Sequence, residues 1–475
     1  MFRSRLAILT VVVALTACAV NPATGKKEFM LVSESQELAM GKQYDQQLVV
    51  EMGLYDDQAL AGYVQELGLK LAALSERPQL PWAFRLVDDP VVNAFAVPGG
   101  YIYITRGILA NMSSEAQLVS VLGHEIGHVT ARHTAQQMTQ QQLFGLGLGV
   151  GAMFSPTIAG IASGAVQVLF LKFSRDDESQ ADELGFRYMR AARYDPREAA
   201  DLFAQLARVS ATAGSRLPEW QSTHPDPENR RAKALARAAA LPATELSGTL
   251  VRRDEYLNRL DGMVYGANPR EGYFIDARFV HPDLAFEVTF PAGWPHVNQR
   301  TVVGAQSAEQ DAVVMLTLAE GGTPTEAAQG FFATEGISGT PTGSSINGLA
   351  ATGGIFTAQT QQGAIQGEIQ FIAHSGMVFQ VMGYAPADKW SSRRAAVHAA
   401  LASFRRVADQ QLLGVQPWRV DIVRLDRTLT PTEFAQRYPG PVSADDIALI
   451  NQVDAGGRFM NRNLAKRVVG TPFGR

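Results

Sequence analysis

The sequence has little cysteine and little net charge. Cys18 is the only cysteine among 475 residues, which excludes an internal disulfide. Lys and Arg number 42 against 46 Asp and Glu, the formal net charge is −4, and no long block of like charge occurs. A protein that binds nucleic acid needs a basic face to replace phosphate counterions, so we expect no nucleic acid partner. Hydrophobic residues make up 46% of the chain, which is ordinary for a globular protein with a sizeable core.

Charged residues are missing from one internal segment, residues 134–171. Its second half is apolar and rich in glycine, and Ser155-Pro156 lies near the middle of the segment. One interpretation is a transmembrane helix, which needs about 20 apolar residues. The glycines and the proline favour instead two shorter helices that form a hairpin, which could cover a site on the protein or rest on a membrane.

The N-terminus has the pattern of an export signal. Arg3 and Arg5 precede an apolar run over residues 6–16, which is too short for a spanning helix. The tetrad Leu15-Thr16-Ala17-Cys18 follows. It resembles the bacterial lipobox, in which the cysteine is acylated and becomes the mature N-terminus.

This pattern predicts a lipoprotein signal peptide over residues 1–17, lipidation of Cys18 and a tether over residues 18–32. The alternative is an ordinary signal peptide or membrane anchor. Ala19 stands where an aspartate would retain such a lipoprotein at the inner membrane. By that analogy we expect a periplasmic protein that is lipid-anchored to the outer membrane.

Three regions follow the predicted tether. Residues 33–265 open with helical periodicity from a capped start at Ser33 and contain short strand candidates. Residues 270–408 alternate in strands and contain two helices, which predicts an α+β domain with an antiparallel sheet, of unknown role and loosely similar to the PsbP-like fold. Residues 415–475 resemble a degenerate LysM module, a small βααβ unit that often binds peptidoglycan; a stabilising tail is the alternative.

The run His124-Glu125-Ile126-Gly127-His128 is the strongest chemical signal in the chain. Residues four apart lie on one face of a helix, so the two histidines can chelate one Zn²⁺ ion. Glu125 lies about 100° around the helix from His124, where it can act as a general base without becoming a ligand. Alone, the motif also fits a chance match or two core histidines. His133 falls outside it and is expected to be structural or solvated.

A zinc hydrolase needs three protein ligands and one open position for water. A second helix start after Phe173 can supply the third ligand, with Ser174 as its N-cap. Glu178 and Asp182 are four residues apart and share a helix face. Glu178 would bind the metal. Asp182 would orient a ligand imidazole through the ring nitrogen that does not face the metal. The residues alone also fit a solvated acidic helix start.

Together these motifs resemble the CAAX prenyl endopeptidase and HtpX-type family of HEXXH zinc metalloproteases, and in particular its soluble, BepA-like bacterial lipoprotein branch. The similarity runs over residues 33–230 and includes Phe173-Ser174-Arg175, Glu178-x-x-Ala181-Asp182 and the run from Asn93 to Gly107. It implies a multidomain chain in which residues 33–265 form a mostly α, zincin-like metalloprotease domain with a small β-sheet and one Zn²⁺ ion.

The resemblance also implies roles for individual residues. His124, His128 and Glu178 are the expected zinc ligands, Glu125 the catalytic base and Asp182 a second catalytic acid. His224 is a candidate regulatory fourth ligand that keeps the enzyme latent; a surface loop is the alternative. We expect Tyr101 and Tyr103 to lie on an edge strand that pairs with extended substrate beside the zinc; an ordinary core hairpin is the alternative.

The motifs and the resemblance together predict a zinc-dependent metalloendopeptidase that hydrolyses misfolded or stalled cell-envelope proteins, as a quality control enzyme. Its expected partners are unfolded or misassembled envelope proteins, the membrane through the lipid anchor and, as a further candidate, peptidoglycan. Two alternatives remain open. One is an envelope assembly chaperone with a latent zinc site, and the other is a peptidoglycan-binding adaptor.

Overall fold

The computed structural model describes residues 18–145, 173–212, 223–360, 363–454 and 456–471. The chain divides into two compact units. Of the described residues, the first unit contains 18–145, 173–212, 223–267, 418–454 and 456–470, and the second contains 268–360, 363–417 and 471. The predicted helical hairpin of residues 134–171 lies, beyond residue 145, outside the described residues. Among the helices that are described, none is both long enough and apolar enough to cross a membrane.

The first unit is mostly helical in its described part. Its helices are α1 (Glu34–Met52), α2 (Gln58–Ala72), α3 (Arg106–Asn111), α4 (Glu115–Ala131), α5 (His133–Gly145), α6 (Arg175–Ala191), α7 (Glu198–Thr212), α8 (Pro227–Ala239), α9 (Ala243–Leu246) and α10 (Arg253–Arg259). Its strands up to the second unit are β1 (Cys18–Val20), β2 (Lys27–Phe29), β3 (Ala83–Val87), β4 (Ala94–Val97), β5 (Tyr101–Thr105) and β6 (Val264–Tyr265). The helix predicted from Ser33 is confirmed, because Ser33 closes a capping box with Gln36 at the start of α1.

The small sheet beside α4 has the strand order β3-β5-β4, with β5 parallel to β3 and antiparallel to β4. Tyr101 and Tyr103 lie on β5, so the prediction that they form an edge strand is wrong. A strand paired on both sides has no free row of main-chain groups for a substrate peptide. Tyr103 is instead a core residue, whose hydroxyl donates to Asp45 Oδ1 at 2.6 Å and whose ring stacks on Phe95.

Helices α4 and α6 cross where both have small residues. A Cβ atom on Gly185 would lie 3.0 Å from the backbone nitrogen of His124, and one on Gly127 would lie 2.9 Å from the carbonyl oxygen of Ala181. Both distances are below ordinary van der Waals contact, so the two backbones touch directly. This close crossing brings residue 124 on one helix beside residue 178 on the other, although 54 positions separate them in the sequence.

The second unit contains an eight-stranded antiparallel sheet of order β10-β11-β12-β17-β16-β15-β13, in which β14 also pairs with β15, and a four-stranded sheet of order β18-β9-β8-β7. The predicted antiparallel sheet with two main helices is confirmed. The strands are β7 (Tyr273–Ile275), β8 (Arg278–His281), β9 (Phe286–Thr289), β10 (His296–Asn298), β11 (Val303–Gln306), β12 (Val313–Leu318), β13 (Ile337–Gly339), β14 (Thr342–Ile346), β15 (Leu349–Thr360), β16 (Gly363–His374), β17 (Met377–Pro386) and β18 (Arg405–Arg406), with helices α11 (Pro324–Phe332), α12 (Trp390–Ala402) and α13 (Gln410–Leu413).

The C-terminal region returns to the first unit. Strands β19 (Trp418–Arg424) and β20 (Leu464–Val469) pair antiparallel and enclose α14 (Pro431–Arg437) and α15 (Ala444–Ile450), so the observed order is βααβ. Val420 and Leu464 belong to the same hydrophobic core as the buried face of α4. The C-terminal strands are therefore part of the core that supports the helices of the first unit.

A buried lysine strengthens this connection. Lys466 has no exposed surface, and its Nζ donates to the carbonyl oxygens of Ala110 at 2.8 Å and Met112 at 2.7 Å. These carbonyls lie at the C-terminal end of α3, where helical carbonyls lack partners within the helix. Burial holds the pKa of Lys466 well below its ordinary value. The last strand of the chain thus caps a helix that lies immediately before α4.

Candidate metal centre

Helix α4 presents the zinc motif inside the protein. Ser114 caps the helix by accepting a hydrogen bond from the backbone nitrogen of Gln117, and every residue of α4 is buried. The predicted N-cap Ser174 is also confirmed, because it forms a capping box with Asp177 at the start of α6. Both helices therefore begin where the sequence predicts, and their caps fix which residues face the crossing.

Four side chains form a compact buried cluster at this crossing: His124, His128, Glu178 and His224. Each offers one ligand atom, and these atoms all lie within 4.8 Å of one another. His124 Nε2 is 3.0 Å from His128 Nε2 and 3.5 Å from Glu178 Oε2, and His128 Nε2 is 3.4 Å from Glu178 Oε1. The structure thus brings together the three residues that the sequence predicts as ligands.

His224 lies just before α8 and completes the cluster. Its Nδ1 is 2.8 Å from Glu178 Oε1 and 3.2 Å from His124 Nε2, and the residue is buried. The alternative of a surface loop is therefore excluded for the imidazole itself. Of the sequence's candidate ligands, His224 is the one contributed by neither of the two crossing helices.

The spacing of these atoms fits a tetrahedral zinc ion. Zinc binds imidazole nitrogen and carboxylate oxygen at about 2.0–2.2 Å, which places tetrahedral ligand atoms about 3.4 Å apart. The closest contacts among these side chains, which involve both oxygens of Glu178, range from 2.8 to 3.5 Å, and one ligand atom from each residue lies within 4.8 Å of the others. The donor set of three imidazoles and one carboxylate is also one that zinc prefers. The residues present therefore fit the metal.

The second ring nitrogens of the helix histidines are held by other residues. His124 Nδ1 is 2.9 Å from Asp182 Oδ1, and His128 Nδ1 is 2.9 Å from His133 Nδ1. His133 Nε2 is in turn 2.8 Å from the side-chain oxygen of Gln180. Such contacts fix the tautomer and orientation of a ligand imidazole, so that Nε2 faces the metal. His133 is structural, as expected, and it acts on His128.

Glu125 lies beside the cluster without belonging to it. Both carboxylate oxygens are buried, neither accepts a hydrogen bond within the described part of the chain, and Oε1 is 3.7 Å from His224 Nε2. Burial raises the pKa of Glu125 to about 7. The group is thus placed and tuned as a proton acceptor near neutral pH.

Arg230 also belongs to the site, although no motif in the sequence indicated it. Its Nε and Nη2 donate to the two oxygens of Asp182 at 2.9 and 2.6 Å, and Nη1 is 3.0 Å from Glu178 Oε2. Its guanidinium also lies over the ring of Phe203. A signal was present in α8, because the helix buries Pro227, Arg230, Ala234 and Ala238 at helical spacing. An arginine within such an apolar stripe needs a buried anion.

The charges in the site keep the carboxylates of Glu178 and Asp182 ionised. Burial acts to raise the pKa of Glu178, but the nearby His224, Arg230 and His124 hold it well below its ordinary value. Burial likewise opposes ionisation of Asp182, while Arg230 and His124 lower its pKa to about 2. Burial and the charge of Arg230 lower the pKa of His124 to about 3. Neutral imidazoles and anionic carboxylates are the forms that bind a metal.

Residues 58–238 match the profile of peptidase family M48, and this range contains every residue of the cluster. The match identifies an M48 peptidase domain within the chain. M48 metalloproteases use zinc, which agrees with the donor set of His124, His128, Glu178 and His224. The predicted family and the predicted cofactor of this M48 domain are thereby confirmed.

Curated relatives extend the match beyond the profile. The beta-barrel assembly-enhancing protease of Escherichia coli K12 is 32% identical over 253 residues, which cover 49% of this chain and 52% of that protein. The mitochondrial metalloendopeptidase OMA1 of Arabidopsis thaliana is 36% identical over 170 residues, 35% of this chain and 33% of that protein. Bovine mitochondrial OMA1 is 28% identical over 252 residues, 48% and 47% of the two chains. The chain thus spans about half the length, or less, of these relatives.

A comparison of structures aligns about a quarter of the chain. The solution structure of cyanobacterial PsbP from Synechocystis covers 28% of this chain and 94% of that one, with 14% sequence identity and a TM-score of 0.24. A score this low does not identify the fold.

Proposed function

We propose that this chain is a zinc-dependent metalloendopeptidase that hydrolyses misfolded or stalled proteins of the cell envelope. The observation that supports it best is the buried carboxylate of Glu125, which accepts no hydrogen bond from the described residues and lies beside a group of side chains that could hold a metal ion. The names of the relatives, a beta-barrel assembly-enhancing protease and a metalloendopeptidase, support protein substrates and a role in quality control.

The proposed chemistry divides between the metal and the protein. A bound zinc ion supplies Lewis acidity, which lowers the pKa of water to around 7 and polarises the scissile carbonyl. Glu125 accepts a proton from the attacking water on one carboxylate oxygen and delivers it to the nitrogen of the leaving amine. The buried residues of α4 around it exclude bulk water, so the proton that Glu125 takes from the water can be passed on directly to the leaving amine.

Asp182 acts as a positioning residue in this proposal. From the sequence, Asp182 has two expected roles, orienting a ligand imidazole and acting as a second catalytic acid. The contacts of its oxygens with His124 Nδ1 and two nitrogens of Arg230 support the first. A carboxylate with a pKa of about 2 has no proton to donate at neutral pH. Asp182 therefore holds the His124 imidazole, and Arg230 holds Asp182.

Metal removal tests the proposed function directly. We expect purified protein to contain one zinc per chain, to cleave casein, and to lose that activity in the presence of a divalent-metal chelator. Adding back stoichiometric zinc should restore cleavage, because the ligand atoms are already assembled by α4 and α6. Metal analysis and casein assays measure both quantities, with an inhibitor of serine proteases as the contamination control. Protein that never holds a metal, or that cleaves casein without one, would refute the proposal.

We further propose that His224 keeps the enzyme latent. A catalytic zinc site keeps one of four positions open for water, and His224 Nδ1 lies where a fourth ligand would be. Opening the site then requires His224 to leave, which reduces the fraction of competent enzyme.

Replacing His224 with alanine is therefore expected to raise casein hydrolysis. If ligation by His224 is worth about 1–2 kcal/mol, the rate should increase by about 5–30-fold. Zinc content should stay at one per chain, because three ligands remain. Thr223→Ala is the matched control, since it alters the neighbouring buried side chain and leaves the imidazole in place. A decrease in the rate with His224→Ala would indicate a catalytic and not an inhibitory role.

The position of His224 also supports a second candidate, an assembly chaperone or peptidoglycan-binding adaptor whose zinc site stays closed. The two functions differ in their need for Glu125. Full complementation of a deletion strain by Glu125→Gln would favour the chaperone or adaptor over the peptidase. A pull-down of the full chain on purified peptidoglycan, with retention as the readout, tests the glycan partner.

For the location, we propose a periplasmic protein anchored to the outer membrane through lipidated Cys18. The lipobox-like tetrad Leu15-Thr16-Ala17-Cys18 supports this anchor, and Ala19 supports the outer membrane as its destination. Membrane attachment would place the proposed peptidase among the envelope proteins that are its expected substrates.

A further inference from the structure

The residues that follow the proposed lipidation site form a folded hairpin. Strand β1 begins at Cys18 itself and pairs antiparallel with β2, in the register Cys18 with Phe29, Ala19 with Glu28 and Val20 with Lys27. The segment predicted to be a tether thus has its first hydrogen-bonded residue at the proposed acylation site.

The two faces of this hairpin and its extension differ in their surroundings. Met30 and Val32 are buried in a cluster with Ala135 of α5, and the Glu28 side chain contacts Gln136 of the same helix. Strand side chains alternate between faces, so Phe29 points away from Glu28, and Val20, which pairs with Lys27, shares the face of Lys27 and Phe29. Phe29 is 47% exposed, Leu31 37% and Val20 53%.

This exposed face, formed by Val20, Phe29 and Leu31, also carries positive charge. Lys27 begins β2 on this face, Lys26 immediately precedes it, and both are exposed. Apolar side chains interleaved with lysines are the composition of surfaces that insert at the boundary between lipid headgroups and acyl chains. Anionic headgroups complement the lysines.

The hairpin is fixed to the helix that carries the zinc motif. The backbone nitrogen of Leu31 donates to Thr139 Oγ1 on α5 at 3.1 Å. Arg132, which ends α4, donates from Nη2 to the carbonyl oxygen of Val32 at 3.0 Å and from Nε to Glu37 Oε2 at 2.7 Å. Arg132 and Glu37 are both buried, so this connection is shielded from water and salt.

We propose that the exposed face of Val20, Phe29 and Leu31, with Lys26 and Lys27, lies against the lipid surface that holds the anchor. The inference rests on the proposed lipidation of Cys18, because an acyl chain at the first residue of β1 leaves no slack between bilayer and hairpin. The hairpin is bonded to α4 and α5, so contact with lipid sets the orientation of the metal centre relative to the membrane. The enzyme would then act on proteins close to that surface.

Fluorescence quenching tests this contact on the full lipidated chain. Phe29→Trp and Leu235→Trp place the same reporter at sites of matched exposure, 47% and 46%, with Leu235 on α8 as the control. Each protein is reconstituted into vesicles of phosphatidylethanolamine and phosphatidylglycerol with or without brominated acyl chains. We expect brominated lipid to reduce the added emission of Phe29→Trp at least twofold and to leave that of Leu235→Trp unchanged, relative to the parent with its five tryptophans.

The outcomes separate the hairpin from the anchor. Mass analysis of the N-terminal peptide reports acylation of Cys18 independently of fluorescence. Acylated protein in which both tryptophans are quenched equally, or neither is, would overturn the proposed contact. Quenching of Phe29→Trp alone supports the contact, and if it occurs in protein without an acyl chain it upholds the hairpin surface while refuting the anchor. Metal content and casein cleavage, measured on the same samples, report separately on the proposed peptidase.

Discussion

Replacing Glu125 with glutamine is expected to lower casein hydrolysis by a factor of about 10²–10⁴ while zinc content stays at one per chain. Glutamine has nearly the same shape but cannot accept the proton of the attacking water. The metal should remain, because Glu125 lies outside the group His124, His128, Glu178 and His224. Initial rates of casein cleavage and metal analysis on the same preparation give the two numbers.

Two further carboxylate variants on α6 make this result specific. Glu183→Gln changes an exposed acid of the same helix and should alter neither rate nor zinc content. Glu178→Gln should lose both, because it weakens the third ligand. A Glu125→Gln protein that keeps most of its activity would show that another group takes the proton, and the assignment of the base would then fail.

Deleting residues 418–475 is expected to unfold the peptidase unit. Val420 and Leu464 are in its core, and burying a side chain of this size is worth about 1.5–3 kcal/mol. Loss of Lys466 leaves the carbonyls of Ala110 and Met112 without their donor, at about 1–3 kcal/mol for each buried group. The sum approaches the roughly 5–15 kcal/mol that stabilises an entire domain. We expect the truncated chain to show no cooperative thermal transition and no zinc binding.

A shorter deletion provides the control for this experiment. Removing only residues 471–475 keeps β20 and all of the contacts of Lys466, so its melting temperature should match that of the full chain. Circular dichroism during heating measures both proteins. A chain ending at 417 that melts like the full protein and still binds zinc would mean that the C-terminal region is an independent module.

The parts of the site that could be predicted are those set by local geometry. His124 and His128 follow from a spacing of four on one helix, and Glu178 and Asp182 follow from the same rule on another. Arg230 could not be found in this way, because its contact with Asp182 depends on the packing of α8 against α6, 48 residues away in sequence. The helical spacing of apolar residues in α8 indicated that Arg230 is buried, but nothing in the local sequence indicated that Asp182 is its partner.

For the fold too, the local elements could be predicted from the sequence, but their long-range neighbours could not. The alternation of residues 101–105 predicted a strand correctly, but alternation does not reveal which neighbours a strand has. The central position of β5 arises because β3 joins it in parallel from earlier in the chain. The contacts of Lys466 span more than 350 residues, and a lysine in a strand looks like a surface residue unless the packing is known.

The contact of α4 and α6 through Gly127 and Gly185 has a consequence for how this centre can change over time. Two helices separated by large side chains can shift whenever those side chains vary, whereas here the main chains touch. The distance between the helices that carry the metal ligands is thus set by contacts between main-chain atoms, which do not vary with the side chains. Surrounding core residues can therefore be substituted without changing the spacing of the ligands. A single methyl group at residue 185 would force the two helices apart and separate His124 from Glu178.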